Sequence, residues 1–516
     1  MEKRRNADGE INSNFISMSL NRKYILEFAV FICGAVVMIF ELVGSRVISP
    51  YVGTSIYAWT GLIGVILASL SVGYYVGGYL ADRKPNIIPL SLIILFSSLA
   101  IVFSAFAKDI VSVIISNSNL ALEIKSLMIS LMLFAPASFL LGMVSPYAVR
   151  LRMNDIARAG RTAGNLYAIS TAGSIFGTFL AGFYIIPNFG STNSLIIISV
   201  ILFFLAVLLL WGRKTNGPVV AVTFLLLAFI GLTYAVSIME KEVLVADVDT
   251  EYNRIWVFDS GDSATQKPIL VLVTDPYGTQ AAVFTDGTDD LVFDYTKFYR
   301  IFSHFVPNPA EALMIGGSAY TYPRDFIKHY PNAKMDVVEI DPGVTEIARK
   351  HFGLKDEKNL FIYHQDARMF LNVNKKKYDV IFGDAFNSAA SVPFQLTTKE
   401  AVRKEYEALN DNGVVIVNLF SAIEGEKGKF TRAEYATYKE VFPQVFLFAS
   451  QDGKKSTEVQ NVMLVALKSE KIPEWKSPNS EINKLLSRVW TGPIDNDVPV
   501  LTDDFAPVEY YKRVSL

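Results

Sequence analysis

At 516 residues the chain has room for two or three domains, and its 51% hydrophobic content is unevenly spread. A net charge of −2, without any basic tract interleaved with aromatics, gives no footprint for nucleic acid. The single Cys33 excludes disulfides and cysteine-based metal sites within one chain, and His304, His329, His351 and His364 lack metal-ligand spacing.

A polar tail over 1–22 precedes seven apolar stretches, each near the ~20 residues that a bilayer crossing needs. They are Tyr24–Ile48, Ala58–Leu80, Ile88–Ala107, Leu127–Tyr147, Ala163–Ile186, Ser194–Trp211 and Val219–Met239. Residues 23–240 therefore read as an α-helical transmembrane bundle of about seven spans. The first stretch is too long for a signal peptide, and no A-x-A-like site follows its core. Small residues (Gly73, Gly77, Gly78; Gly173, Gly177, Gly182) suit close helix contact. Glu41 lies inside the first span, where a carboxylate costs about 2.5–3.5 kcal/mol, so it should face the bundle interior, a cavity or Arg46. A substrate or proton site and a structural ion pair are equally open there.

Past Met239 the texture changes. The runs VLVADV, RIWVFD, ILVLVT and AAVFTD alternate in polarity and predict a small antiparallel β subdomain over 241–310. Residues 311–516 read as a Rossmann-like α/β domain of the methyltransferase type. Strands are predicted at Ala312–Ile315, Met335–Ile340, Leu360–His364, Tyr378–Gly383 and Gly413–Leu419, with helices at Pro342–His351 and Thr398–Leu409 among others. Such alternation predicts a parallel sheet covered on both faces, with its ligand at the carboxyl ends of the strands.

The stretch ALMIGGSAYTYPRDF (Ala312–Phe326), followed by MDVVEIDPG (Met335–Gly343), carries the chemistry. A strand runs into the Gly316-Gly317 turn, a helix follows, and the second strand ends in Glu339. Glycines allow close backbone approach to a nucleoside, and the acid hydrogen-bonds ribose hydroxyls. Asp366 and Asp384 fall at the next two strand tips, placed to accept from an adenine amino group and to face the reacting end of a ligand. Singly, each is better read as a helix cap or loop residue; with Glu339 they point to an adenosine site.

At these residues the chain resembles the polyamine aminopropyltransferases (the spermidine synthase family), and in particular their membrane-fused relatives. The similarity rests on ELVGSRVISPYVGTSIYAW and GGYLADRKP in the apolar half. In the polar half it rests on EYNRIWV, FDYTKFYRIFSHF, IGGSAYTYPRDF, VVEIDPGV, QDARMFL, YDVIFGDAFNSAASVPFQLTTKEA, LNDNGVVIVNLF and LTDDFAPVE. The resemblance implies homodimers and transfer of an aminopropyl group from decarboxylated S-adenosylmethionine to a polyamine, leaving 5′-methylthioadenosine, with no separate cofactor. It implies that Glu339 binds the ribose, Asp366 with Ala367 the adenine, and Gly316 and Gly317 the methionine-derived chain, with Ser318 and Ile340 as further binding positions. Asn253 stands at a further binding position and Asp384 is the acid beside the reacting carbon; in a reaction without an amine acceptor, Asp384 and nearby tyrosines such as Tyr295 or Tyr299 would stabilise the sulfonium.

The departures matter. The family's Gly-Gly-Gly-Asp-Gly is Gly316-Gly317-Ser318-Ala319-Tyr320, and its Asp-Ser-Ser-Asp is Asp384-Ala385-Phe386-Asn387. Its Tyr-Gln is Tyr252-Asn253, and its Tyr-His/Gln-Glu is Tyr299-Arg300-Ile301. Acids that would hold a diamine are missing, while Arg300 and Arg324 stand nearby and would suit a ligand that keeps its carboxylate. Three readings follow. One is an enzyme that cleaves S-adenosylmethionine without an amine acceptor. Another is an aminopropyltransferase with a relocated amine site using Asp275, Asp286 or Asp325, and the third is a nucleoside-binding transporter or sensor. Basic clusters before span one and after spans two, four and six put all four in the cytoplasm, so seven crossings would leave the polar half outside. An adenosyl substrate argues for a cytoplasmic polar half, with a span miscounted; the amphipathic Ile110–Leu122 is a candidate missed or re-entrant element.

Overall fold

The computed structural model describes residues 2–53, 55–153, 155–210, 244–274, 278–385, 392–451 and 454–513. The chain divides into two compact units, Met1–Val52 with Ile56–Glu240, and Gly53–Ser55 with Lys241–Leu516.

The first unit is helical: α1 (Glu2–Val52), α2 (Ile56–Arg83), α3 (Ile87–Ser116), α4 (Leu122–Leu133), α5 (Ala135–Arg152), α6 (Ala159–Leu180) and α7 (Ile186–Leu210). Among the described residues four helical runs are long and apolar enough to cross a membrane, or five if the bent pair α4–α5 is one span. That pair bends by 56°, and Pro136 explains the break, because its ring removes a helical donor. Sequence spans five and six form one continuous run, interrupted by a π turn at Ala181–Ile185 and by Gly190 at φ 67°. Val219–Met239 lies outside the described residues, so the described runs number four or five against an expected seven. The predicted element at Ile110–Leu122 is no separate element: α3 runs through Ser116 and absorbs most of it. Gly73 packs on the Phe139 carbonyl and Gly173 on the Phe31 carbonyl, bringing α2 against α5 and α1 against α6 at backbone distance. Gly78 and Gly182 make no such contact.

The second unit begins with an antiparallel sheet of β1 (Ala246–Asp249), β2 (Arg254–Gly261), β3 (Pro268–Val273) and β4 (Ala281–Phe284), ordered as in the sequence. The seven-stranded sheet follows: β5 (Glu311–Ile315), β6 (Lys334–Val338), β7 (Leu360–Tyr363), β8 (Tyr378–Gly383), β9 (Leu409–Ser421), β10 (Gln444–Ala449) and β11 (Gln460–Leu467). Its order is β10-β11-β9-β8-β5-β6-β7. The first five in sequence pair parallel, but β11 runs antiparallel to both β9 and β10, so the sheet is mixed rather than wholly parallel. The cause is the short β10–β11 link, which carries no crossover helix; only an antiparallel pair can be joined so.

Both faces are buried, which explains strands that read as continuous apolar runs. Along β8, Val380 and Phe382 join one core with Phe302 and Phe326, while Ile381 joins the other with Val415 and Leu464. The chain leaves β5 for β6 on one side and returns to β8 on the other. At that reversal the carboxyl ends of β5, β6 and β8 form the crevice in which open α/β sheets hold ligands.

Candidate active site

The turn after β5 is tightly constrained. Gly316 has φ +91°, donates its N–H to the Val338 carbonyl at 2.9 Å, and lies so close to the Asp384 backbone that a Cβ would collide. Ser318 and Tyr320 also take left-handed conformations, at φ 45° and 57°. These are the third and fifth positions of the turn, where the family pattern has glycine. Side chains there cost roughly 1–2 kcal/mol each. Burial of the Tyr320 ring, whose hydroxyl meets Thr345 Oγ1 at 2.7 Å, offsets that cost. Ala319, where the family acid would stand, turns into the apolar core beside Ile255 and Val344.

Glu339 closes the turn. Its Oε2 accepts the N–H groups of Gly317 (2.8 Å) and Ser318 (3.2 Å), and its Oε1 accepts from Asp341 N (3.0 Å). Burial pushes its pKa up, against the three donors that favour the charge. Ile340 is a half-buried bend beside it. Fully buried Asp341 caps the Pro342–His351 helix and accepts from Thr250 Oγ1 (2.5 Å) and Asn253 Nδ2 (3.1 Å). The Asn253 amide therefore ties the β1–β2 turn to this helix. Asp366 caps the helix Ala367–Val373 through Met369 N at 3.0 Å, and its Oδ2 lies 3.4 Å from the Gln395 amide. Ala367 is buried.

Asp384 follows β8, with its N–H on the Ile315 carbonyl at 2.8 Å. Its Oδ1 accepts from Asn418 Nδ2 at 2.9 Å, and the Tyr295 hydroxyl stands beside the same carboxylate. The residue keeps some solvent contact, yet its carboxylate is packed deeply enough that burial pushes the pKa up to about 6 against the Asn418 bond and the neighbouring Tyr295 hydroxyl. The Tyr295 hydroxyl also reaches the Gln280 carbonyl (3.2 Å), and Tyr299 donates to the Gly383 carbonyl (3.0 Å). Burial, then the Asp384 charge, holds both phenols well above their usual range, so they stay protonated donors.

A cleft of about 460 Å³ opens on Asp384, and Asp262, Asp294, Tyr295, Ser318 and Asn418 are among its lining. Among the described lining residues there is no Lys or Arg. Ser318 links the cleft to the glycine turn, since its N–H bonds Glu339. Sequence reasoning missed Asn418, Asp262 and Asp294. A lone Asn in the apolar VVIVNLF strand was the available signal for the first; the two acids resemble ordinary turn residues.

The expected arginine role fails. Arg300 is spent on Asp325 (3.0 and 2.7 Å), Asp290 (3.1 Å) and Glu481 (3.1 Å), and Arg324 donates to the Phe352 carbonyl; neither lines the cleft. Asp325 is thereby occupied, and Asp286 is held by Thr288 and Lys267. Asp275 and Asn387 lie outside the described residues. Among the described residues no group of three or more His, Cys, Asp or Glu could hold a metal ion.

The crevice, the glycine turn and the three acids at successive strand ends define an open α/β domain whose candidate site lies at the carboxyl ends of the parallel strands. Residues 299–451 match the spermine/spermidine synthase domain. The polyamine aminopropyltransferase of Vibrio vulnificus (strain CMCP6) is 28% identical over 250 residues, covering 45% of this chain and 80% of that protein. Polyamine aminopropyltransferase 2 of Aquifex aeolicus (strain VF5) is 22% identical over 408 residues, 76% of this chain and 78% of that one. A solved structure of a probable spermidine synthase from Corynebacterium glutamicum ATCC 13032 superposes with TM-score 0.39 at 21% identity, over 46% of this chain and 85% of that one. The chain carries a spermine/spermidine synthase domain and is an aminopropyltransferase-like transferase.

Proposed function

We propose that this enzyme transfers the aminopropyl group of decarboxylated S-adenosylmethionine to an amine and releases 5′-methylthioadenosine. The observation that carries this reading is the cleft itself: Asp262, Asp294 and Asp384 line it without any described cation. Such a surface attracts an ammonium and repels a carboxylate, which favours a decarboxylated donor and a cationic acceptor over cleavage of intact S-adenosylmethionine. Asp262 and Asp294 take the role of the absent family acids, holding the acceptor's distal ammonium.

The attacking amine must lose a proton, and a carboxylate titrating near 6 is suited to receive it at neutral pH. Departure of a neutral thioether needs no acid, so positioning and electrostatics supply most of the acceleration. Glu339 has three of its roughly four acceptor sites filled by backbone N–H groups, leaving one for a ribose hydroxyl. Asp366 Oδ2, with only a long contact to Gln395, faces the adenine amino group. The Tyr295 hydroxyl and ring face stabilise the sulfonium, whereas Tyr299, fully buried and bonded to the Gly383 carbonyl, supports the strand end that carries Asp384.

The reading extends to a homodimer anchored by the helical unit in lipid, with the second unit in the cytoplasm. Thiol labelling at cysteines introduced into that unit, before and after permeabilising cells, tests the sidedness; labelling in intact cells overturns it. Product analysis tests the chemistry. Methylthioadenosine and an aminopropylated amine should form together, only when decarboxylated donor and diamine are both supplied. Methylthioadenosine from S-adenosylmethionine alone contradicts the reading.

A further inference from the structure

We propose that Asn461 is a positioning residue for Asp384, acting by holding the Asn418 side-chain amide in the one orientation that donates to that carboxylate. The inference rests on the reading of Asp384 as the proton-accepting acid of the transfer.

Asn418 Nδ2 donates to Asp384 Oδ1 at 2.9 Å, and Asn418 Oδ1 accepts from Asn461 Nδ2 at 3.0 Å. The register makes this possible. On the antiparallel β9–β11 pair, Asn418 lies opposite Met463 and Asn461 opposite Phe420, so the two asparagines are diagonal neighbours on one face. Both line the cleft that holds Asp384.

An asparagine amide is nearly symmetric in shape, and its two ends differ only in what they offer: two donors or an acceptor. If Asn418 turned over, its carbonyl oxygen would face the carboxylate, replacing attraction by repulsion. Asp384 itself gives weak guidance, because a ligand-facing carboxylate can tilt away. The Asn461 donor makes the choice by occupying the oxygen end.

The other titratable groups facing Asp384 do not replace this control. Tyr295 stands against it from the Asp294–Phe298 helix, and Tyr299 lies just below with its proton committed to the Gly383 carbonyl. Asp262 and Asp294 across the cleft add only negative charge. Asn418 is thus the strand-borne donor that keeps Asp384 ionised near neutrality, and Asn461 keeps Asn418 a donor.

The test uses the full-length chain in detergent with Asn461→Asp, of nearly identical shape, and Asn461→Gln as the conservative control. A carboxylate at 461 accepts from the Asn418 amide and turns its oxygen towards Asp384. The acid limb of the pH–rate profile for aminopropyl transfer should move up by about one unit, the worth of one charge-assisted hydrogen bond. Below that limb kcat should fall about tenfold, with the KM for decarboxylated S-adenosylmethionine unchanged, and Asn461→Gln should recover most of the loss. The carboxyl infrared band that vanishes in Asp384→Asn supplies a readout independent of turnover, and its midpoint should rise by the same amount. An unshifted midpoint in folded Asn461→Asp overturns the relay. Full activity of Asp384→Asn overturns instead the reading of Asp384, so the two failures are distinguishable.

Discussion

Replacing Glu339 by Gln is the sharpest perturbation of the nucleoside grip, because it preserves shape while removing charge. The carboxylate serves three backbone donors, two on one oxygen and one on the other. A glutamine has one acceptor oxygen, so it can serve the Gly317–Ser318 pair or Asp341, and its NH₂ then confronts the remaining donor. A buried N–H left unpaired costs about 1–3 kcal/mol, and the bonds retained lose their charge assistance. Relief of the burial penalty on the carboxylate offsets part of this. The net expectation is about 1–3 kcal/mol of lost stability, or roughly 3–8 °C in Tm if the second unit unfolds cooperatively. A loosened turn and a missing ribose acceptor should also weaken methylthioadenosine binding by about tenfold, equivalent to about 1.4 kcal/mol. Differential scanning fluorimetry of the full chain, with and without the nucleoside, reads both effects. Unchanged Tm and unchanged nucleoside stabilisation in Glu339→Gln would refute the assignment of Glu339 to turn and ribose.

Buried Glu405 and Glu434 line one pocket of about 40 Å³, where Tyr438 donates to Glu405 Oε2 at 2.6 Å. Burial pushes Glu405 up to about 8 and Glu434 well above its ordinary value, with Glu405 adding to the latter. Because the folded pKa of Glu405 exceeds its unfolded value, the stabilisation from that group is full below about pH 4.5 and is lost as pH rises towards 8, by up to about 1.4 kcal/mol per unit. Glu405→Gln should flatten Tm against pH across that window; an unchanged slope counts against the buried acid pair. Ser318→Gly removes a left-handed side chain and should be neutral or stabilising by up to about 1 kcal/mol in thermal unfolding. Tyr320→Gly relieves the same strain but empties a buried site and should cost about 3 kcal/mol or more in the same assay. Arg300→Met should lower stability by roughly 1–3 kcal/mol by stranding half-buried Asp325, without altering the preference for decarboxylated over intact donor. A changed preference in competition kinetics would return Arg300 to the site.

Strand positions were legible wherever alternation or a bounded apolar run set the period, as in β2, β3 and β8, and the helix Pro342–His351 was read to its ends because Asp341-Pro342 marks its start. The sequence predicts only Gly413–Leu419 of the strand Leu409–Ser421, because Asn410-Asp411-Asn412-Gly413 looks like a turn, although the strand runs through it. The reversal of β11 depends on a connection whose direction local sequence does not encode. The acids at the strand tips were visible as positions, whereas their partners were not. Glu339 bonds the turn it is expected to accompany, Asn253 belongs to Asp341, and Arg300 meets three carboxylates that lie 10, 25 and 181 residues away. Proximity in sequence to a motif says nothing about which charge a long side chain will meet.

The most direct test of the account is a structure of the full chain with methylthioadenosine bound. The ribose should lie against Glu339, the adenine against Asp366 and Ala367, and the thioether should point at Asp384 in the acidic cleft. A nucleoside lodged elsewhere, with Glu339 making the same three backbone bonds and no ligand contact, would contradict it.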